Sequence, residues 1–287
     1  MKKYIFFLSI ICVNILLTAG CGSKTDSDAE TDRNNEIVET VEEESSPAPD
    51  NTEQVTAQEE TSNVAVQKIV VDNPSWDYYI AEPKEVETVP LKLTLLEQRA
   101  NQITDEEQWF KRNELALPDS ENSGYYCIIE GGTLVDIIKN GTLEAVLDFS
   151  EYRYANEISG DKDLVEEDLR SAVIYEGILY VSSFHYTYAE SEPQNAYITA
   201  IDLSDYSVLW KTKALTCNSL NFEIIGDVIL CGYGFTAEED YLYQLDRKTG
   251  QIIDEILLKS KADYIIYKDE KLYVRTYDTD YVFQVEG

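Results

Sequence analysis

Between Ser171 and Gly287 one strand-rich phrase is written about three times, and this repetition limits the possible folds more than any other feature. Its first half reads Ile174-Tyr-Glu-Gly-Ile-Leu-Tyr-Val181, then Ile225-Gly-Asp-Val-Ile-Leu230, then Ile266-Tyr-Lys-Asp-Glu-Lys-Leu-Tyr-Val274. Its second half reads Ala200-Ile-Asp202, Gln244-Leu-Asp246 and Gln284-Val-Glu286, at spacings of 44 and 40 residues. A period of that length filled with strands points to propeller blades, because one four-stranded blade cannot bury both faces and must stack on its neighbours. The expected fold class is all-β: a propeller-like stack of about four four-stranded blades, small or incomplete, with a short helical insertion near the start of the domain.

Residues 1–20 read as a targeting segment. Lys2 and Lys3 precede a mainly apolar run of 13 residues, Ile5 to Leu17, which is short for a membrane span of about 20 residues. Leu16-Leu17-Thr18-Ala19-Gly20-Cys21 follows and resembles the lipobox of bacterial lipoproteins, with Thr18 where that family usually carries leucine. The resemblance implies a diacylglyceryl group on Cys21, cleavage before it and an acylated new N-terminus. An ordinary secretory signal with a chance cysteine is the plainer alternative. Acyl chains at about 0.8 kcal/mol per buried methylene would hold the protein firmly to a bilayer.

Residues 21–63 read as the lipidated cysteine and a tether. From Gly22 to Ser62 there are 13 acids against Lys24 and Arg33, and no aromatic residue. Such a stretch buries too little apolar surface to offset the entropy of ordering, and its like charges extend it. Residues 64–287 are then the propeller-like domain, large enough for one sizeable core.

The whole chain carries a net charge of −32. A chain this acidic makes a poor nucleic-acid binder, because phosphates must be met by Lys and Arg. Anionic lipid would also repel it, so the lipid group must supply the anchoring. Divalent cations, calcium among them, cationic polymers and basic protein faces remain electrostatically permitted. Acid that only keeps an extracellular domain soluble is the alternative. The chain holds 21 tyrosines, most of them after Tyr125, and these favour pleated, half-buried strands before they favour a ligand site.

Ahead of the repeats the pattern is mixed. Val64 to Val71 reads as a strand ended by Asp72-Asn73-Pro74, and Leu91 to Leu96 as a strand or the start of a helix. Thr104-Asp-Glu-Glu107 has capping-box spacing and predicts a short helix to Ala116, ended by Pro118. This region reads as a degenerate first blade with a helical insertion. Tyr125 to Glu130, Thr133 to Ile138 and Leu143 to Phe149 read as strands, the last two joined by an Asn140-Gly141 hairpin turn. A polar insertion follows from Glu151 to Arg170, with a helical turn at Leu164 to Leu169. The last repeat stops after its third strand, and Val64 to Val71 is expected to complete it from outside.

Ala200-Ile-Asp-Leu-Ser-Asp-Tyr-Ser-Val-Leu-Trp210 resembles the PQQ-like (quinoprotein-type) propeller repeat, Ala-x-Asp-x-x-Thr-Gly-x-x-x-Trp. Asp205 and Tyr206 stand in place of Thr-Gly. Leu245-Asp-Arg-Lys-Thr-Gly-Gln-Ile-Ile-Asp254 keeps Asp246, Thr249 and Gly250 but has Asp254 in place of tryptophan. The resemblance implies structural duties: Asp202, Asp246, Thr249 and Gly250 build the turn between third and fourth strands, and Trp210 packs between blades. It does not carry the quinone, because this sequence lacks the adjacent cysteines of quinoprotein dehydrogenases and has too few blades. The chain looks more like the non-enzymatic lipoproteins of that superfamily.

The loops between second and third strands of each repeat should open on one face, and each mixes rings with carboxylates. The candidate binding face is Phe184, His185, Tyr186, Tyr188 and Glu190, with Tyr233, Phe235, Glu239, Tyr277, Asp278 and Asp280. Rings supply rigid contact area and cation–π faces, and carboxylates select a basic or cationic partner. The alternative is strand-end packing for the rings and simple solvation for the acids. His185 is the only histidine, so no second imidazole is available for a zinc site. Paired acids such as Glu238-Glu239 could do glycosidase chemistry, but that chemistry imposes no sequence spacing. After Cys12 and Cys21 the cysteines are Cys127, Cys217 and Cys231, an odd number that leaves at least one thiol unpaired, with Cys217–Cys231 as a possible bridge. The expected function is a membrane-tethered binding or scaffold module outside the cytoplasm, at the cell surface if the host is Gram-positive. An envelope hydrolase using loop carboxylates and a divalent-cation-binding surface protein are the alternatives.

Overall fold

A computed structural model describes residues 66–118, 124–152, 167–186 and 193–286, all within the chain unit Thr61–Gly287. The expected signal segment, Cys21, the tether, Leu164, Tyr188 and Glu190 lie outside the described residues.

The described residues open with three separated strands, β1 (Gln67–Val70), β2 (Tyr79–Ile80) and β3 (Lys92–Ala100), then helix α1 (Glu106–Asn113). β4 (Tyr125–Glu130), β5 (Leu134–Lys139) and β6 (Thr142–Asp148) follow, and then β7 (Asp168–Tyr175), β8 (Ile178–Phe184), β9 (Tyr197–Asp202) and β10 (Val208–Lys211). The last repeats supply β11 (Glu223–Ile225), β12 (Val228–Tyr233), β13 (Tyr241–Asp246) and β14 (Ile252–Leu257), then β15 (Ala262–Lys268), β16 (Lys271–Thr276) and β17 (Thr279–Glu286). Among the described residues these form four sheets, ordered β1-β6-β5-β4, β2-β10-β9-β8-β7, β11-β12-β13-β14 and β15-β16-β17-β3. The architecture is the expected all-β propeller type.

Three apolar cores sit between successive sheets. Val135, Ile137 and Leu147 meet Leu179, Val181 and Ile201. Tyr180, Ala200 and Trp210 meet Ile229, Cys231 and Leu245, and Leu230 and Leu242 meet Ile265, Val274 and Phe283. Period-2 alternation directs these side chains to the sheet faces, and stacking removes both faces of the inner sheets from water. Among the described residues no such core joins the first sheet to the fourth. Instead α1 covers the fourth: Trp109 is buried and stacks on Tyr264 with ring centroids 6.3 Å apart, and Phe110 meets the same ring edge-on at 5.1 Å.

The region before Tyr125 is a strap and not a degenerate first blade. β1 runs parallel to β6 at the outside of the first sheet. β2 pairs with β10 at the outside of the second, and β3 pairs with β17 over eight positions from Thr279↔Ala100 to Glu286↔Lys92. The open last repeat is therefore completed from the N-terminal side, as expected, but by Lys92–Ala100 and not by Val64 to Val71. The ambiguous run at Leu91 to Leu96 is strand, because the open edge of β17 supplies it with an antiparallel partner. Between sheets two and four the strap crosses the third sheet, where the buried Gln244 amide grips Leu91: the Leu91 N–H donates to Oε1 at 2.8 Å and Nε2 donates to the Leu91 carbonyl at 2.9 Å.

The first sheet is also out of step with the others. Leu169 N donates to the Gly132 carbonyl at 2.8 Å, so the β4–β5 turn lies at the end where β7 begins. The helix is capped one residue later than expected, at Asp105, and ends at Asn113 and not Ala116, where Glu114 turns left-handed. Asp105, within a 3-10 turn at Ile103–Asp105, accepts the Gln102 N–H at 3.3 Å, in place of a Thr104–Glu107 pair. Leu169, expected in a helical turn, is in β7.

The turn motif behaves as the repeat resemblance implies. Asp246 Oδ1 accepts from Lys248 N at 3.1 Å and Thr249 Oγ1 at 2.6 Å, while Gly250 N donates to the Asp246 carbonyl at 2.8 Å with φ 71°. Asp202 repeats this with Ser204 N at 2.7 Å, and Tyr206 takes the glycine's place at φ 62°. Trp210 is buried between sheets two and three, and its indole N–H donates to the Arg247 carbonyl at 3.1 Å. A β-carbon at Gly250 would run into the Trp210 ring, whereas one at Gly226, at φ 59°, would meet open space.

Gly226→Ala should therefore cost about 1 kcal/mol, the left-handed backbone penalty alone. Gly250→Ala should add overpacking against the indole and cost roughly 2–4 kcal/mol. Urea unfolding of the two variants checks this, and equal losses would contradict the turn–tryptophan packing.

Candidate functional site

Among the described residues, the loops between second and third strands of sheets three and four come together at one cleft. The loop after β12, residues 234–240, stands between two clefts. One, of about 560 Å³, is lined by Tyr233, Glu238, Glu239, Tyr241 and Tyr243 with Lys213, Ala214 and Leu215 from the segment after β10. The other, of about 300 Å³, is lined by Phe235, Glu238, Asp240 and Tyr277 with Ser260 and Lys261 from the segment after β14.

Asparagine side chains hold these loops where the backbone leaves the ladder. Asn218 Nδ2 donates to the Gly234 carbonyl at 2.7 Å, and Gly234 N donates back to Oδ1 at 3.2 Å. Asn195 grips His185 the same way, at 3.0 and 2.9 Å. Each amide replaces a missing strand partner, because a buried N–H or C=O left unpaired costs about 1–3 kcal/mol. Gly234 is required for space as well: a β-carbon would strike the Asp240 carboxylate.

Of the expected residues, Tyr233, Phe235, Glu239 and Tyr277 line the clefts. The Tyr233 hydroxyl donates to Glu238 and that of Tyr241 to Glu239, while the Tyr241 and Tyr243 rings stack 5.3 Å apart at 18°. Tyr277 is 59% exposed. Asp278 lies beside the smaller cleft, where Ser260 Oγ donates to it at 2.6 Å and Thr279 Oγ1 at 2.8 Å, holding its carboxyl below the usual range.

Phe184, His185, Tyr186 and Asp280 are not part of the clefts. Phe184 and His185 are buried, Tyr186 is exposed, and the Arg170 guanidinium lies over the Phe184 and Tyr186 rings at 5.3 and 5.1 Å. Asp280 is buried among arginines: Arg275 Nη1 at 3.0 Å, Arg99 Nη2 at 3.3 Å and Arg112 Nη2 at 3.4 Å. It ties β16, β3 and α1 to β17 and does not face a ligand. The sequence reading missed Lys213, Tyr241, Tyr243, Ser260 and Lys261, which lie in connecting segments or on strand β13. Only the spacing of Tyr241 and Tyr243, two apart on one strand face, was there to be read.

Two features tune the charge. Asp240 is pushed up to about 6, first by burial and then by Asp278 and Glu238, against the pull of Lys261. Deeper in, Lys211 is fully buried in a cage of rings: its ammonium lies 3.8 Å from the Tyr197 centroid, 4.5 Å from Trp76 and 5.1 Å from Tyr152. Its Nζ donates to Asn73 Oδ1 at 3.1 Å and the Ser75 carbonyl at 2.9 Å. Burial lowers the Lys211 pKa and raises that of Glu167, whose Oε1 accepts from Ser183 Oγ at 2.5 Å while its Oε2 has no hydrogen-bond partner among the described residues. Cys127, Cys217 and Cys231 are all buried free thiols. Among the described residues no group of three or more His, Cys, Asp or Glu side chains is placed to hold a metal ion.

No family model matches the chain, and no curated protein does. Similar solved structures include BamB from Moraxella catarrhalis, at 12% identity over 58% of this chain and 57% of that one, with a TM-score of 0.33. Saccharomyces cerevisiae Sqt1 matches at 14% identity over 67% of this chain and 46% of its own, with a TM-score of 0.39. The computationally designed protein Ika4 matches at 11% identity over 58% of this chain and 88% of its own, TM-score 0.39. The match spans just over half of BamB and less than half of Sqt1.

The raised carboxyls set a pH dependence. Asp240 at about 6 and Glu223, pushed up to about 7 by burial, exceed their unfolded values, and Glu167 is raised in the same sense. The unfolded chain gives up these protons first, so stability is full below the ordinary carboxylate range and is lost as pH rises towards 7. Lys211, depressed by burial, acts in the opposite sense, its contribution growing as pH climbs towards the ordinary lysine range. The melting temperature should therefore fall between pH 5 and 7, and Glu223→Gln should flatten that slope. A melting temperature that rises across this range would contradict these burials.

Proposed function

We propose that this chain is an extracytoplasmic lipoprotein, held to a bilayer through acylated Cys21, whose propeller-type domain binds cationic or basic ligands without chemistry of its own. The observation that carries the binding reading is the pair of clefts flanking residues 234–240, where Tyr277, Phe235, Tyr241 and Tyr243 stand beside Glu238, Glu239 and Asp240. Cleft-lining rings next to carboxylates, of which Tyr277 is the exposed one, attract an ammonium or guanidinium group by charge and by cation–π contact, at about 0.5–2 kcal/mol per ring. The net charge of −32 would speed the approach of a basic partner and repel nucleic acid. The anchoring reading rests on Leu16 to Cys21 and the acidic stretch that follows it.

A hydrolytic reading has one observation in its favour, the Asp240 carboxyl pushed up to about 6 within a cleft, near the value a general acid needs. Glycan cleavage abolished by Asp240→Asn, and by Glu239→Gln or Asp278→Asn, would put this reading in place of the first.

Oligolysine tests the binding. The full chain should bind it more tightly than an uncharged peptide of equal length, and Glu239→Gln combined with Tyr277→Ala should weaken binding about tenfold. If the double variant binds as tightly as the parent, the acidic tether and not the clefts holds the peptide, and the site assignment fails. For the anchor, mass spectrometry of the mature N-terminal peptide should find acyl chains on Cys21, and Cys21→Ser should release the protein from membranes. An unmodified N-terminal peptide would end that part of the proposal.

A further inference from the structure

Two buried thiols share the second core, beside strands that line the larger cleft. Cys217 lies on the segment after β10 and Cys231 in β12, both fully enclosed. The backbone draws the two stretches together, since Asn218 N and Ser219 N both donate to the Gly232 carbonyl, at 2.8 and 3.1 Å. The Cys231 thiol donates at 3.5 Å to the carbonyl of Thr216, the residue next to Cys217. Cys217 Sγ lies 3.6 Å from Ser219 Oγ. Lys261 sets a cation beside it, donating to the Asn218 carbonyl at 3.2 Å and pairing with Asp263 at 2.7 Å.

We propose that Cys217 and Cys231 form a peroxide-responsive dithiol that closes to a disulfide beside the strands of the larger cleft. The two sulfurs differ in the way such a step needs. Burial opposes the Cys217 thiolate, but hydrogen bonds from Cys231 and Ser219 and the Lys261 charge outweigh it, so its pKa lies below the usual thiol value. Cys231 is held well above that value by burial and by the neighbouring sulfur. Cys217 is the attacking sulfur, because Ser219 Oγ lies 3.6 Å from it and the Lys261 ammonium is held at the next residue's carbonyl. Cys231, hydrogen-bonded to the Thr216 carbonyl, is the resolving one. The Cys217 thiolate attacks one oxygen of a hydroperoxide; an S–O bond forms, the O–O bond breaks, and the departing oxygen leaves as water or alcohol after taking up a proton. The Cys231 sulfur then attacks the sulfenic acid; the S–S bond forms, the S–O bond breaks, and the hydroxide leaves as water with the Cys231 proton. Two electrons pass from the sulfurs to the peroxide, and no other reductant enters. An enclosed pair admits a small hydroperoxide more readily than a bulky disulfide.

The bond would fix the segment after β10 to β12. Tyr243, which pairs with Cys231 across the β12–β13 ladder, and Tyr233, two residues on, both line the larger cleft. Cys127 is the internal control. It is buried in the first core, away from both sulfurs, with its thiol pushed up to about 12.

The test treats the folded full chain with hydrogen peroxide, quenches it, and maps its peptides without reductant. A peptide joining Cys217 to Cys231, lighter by two hydrogens and separated again by reductant, is the expected product, with Cys127 still alkylatable. Cys231→Ser should stop the reaction at a Cys217 sulfenic acid that dimedone captures, and Cys127→Ser should behave as the parent. The proposal is overturned if the parent reaches sulfinic acid without the link, if Cys127 is consumed first, or if neither thiol is lost. Should Cys231→Ser fail to fold, the peptide map of the parent decides alone. The result is independent of oligolysine binding.

Discussion

The fold depends on how the Lys211 ammonium is kept out of water. An enclosed charge costs several kcal/mol unless it is met from all sides. Here three aromatic rings and two hydrogen bonds meet it, and one of the rings and both acceptors come from residues 73–76 of the strap. The same interaction that makes Lys211 tolerable in β10 therefore pins the strap to the second sheet. The Tyr197 hydroxyl adds a bond to the Trp76 carbonyl at 2.7 Å. From that point the strap reaches β1 on one side and, on the other, β2 and then, past Gln244, β3. Without it, sheets one, two and four would each lack their outermost strand.

The clefts rest on the same economy of polar groups. Loops leave the ladder at His185 and Gly234, where a neighbouring strand no longer meets the backbone donors and acceptors. Asn195 and Asn218 supply substitutes from their side chains, so the loops are fixed without being strands. The ring-and-carboxylate surface is thereby presented on a rigid support, which lowers the ordering cost of binding. Asn221 plays the same part between sheets three and four, gripping Ile265 at 2.6 and 2.9 Å.

Much of the repeat was legible. The two-residue turn at Asn140-Gly141 takes φ values of 50° and 80°, as that dipeptide favours. The Asp-Thr-Gly turn and the inter-sheet tryptophan follow from local chemistry: a short carboxylate bonding nearby N–H groups, a residue free to adopt positive φ, and a large ring filling a wedge. Tyr206 shows that the turn survives without glycine, so the degraded copy of the motif was still readable. The contents of the loops were less legible. Asp280 and Phe184 look like loop residues in sequence, yet three arginines claim one and the second core takes the other.

By itself the sequence determined the strands, their period, the turns between them and the charge of the surface, because each is set by residues a few positions apart. The tertiary structure alone decided which strand completes the last sheet, where the strap runs, which rings enclose Lys211 and which two thiols share a core. Those outcomes join residues up to 194 positions apart, as in the pairing of Lys92 with Glu286. At such separations alternation fixes which face of a strand is buried but not its partner. The choice falls to whichever unpaired edge or uncovered ring the rest of the fold leaves within reach.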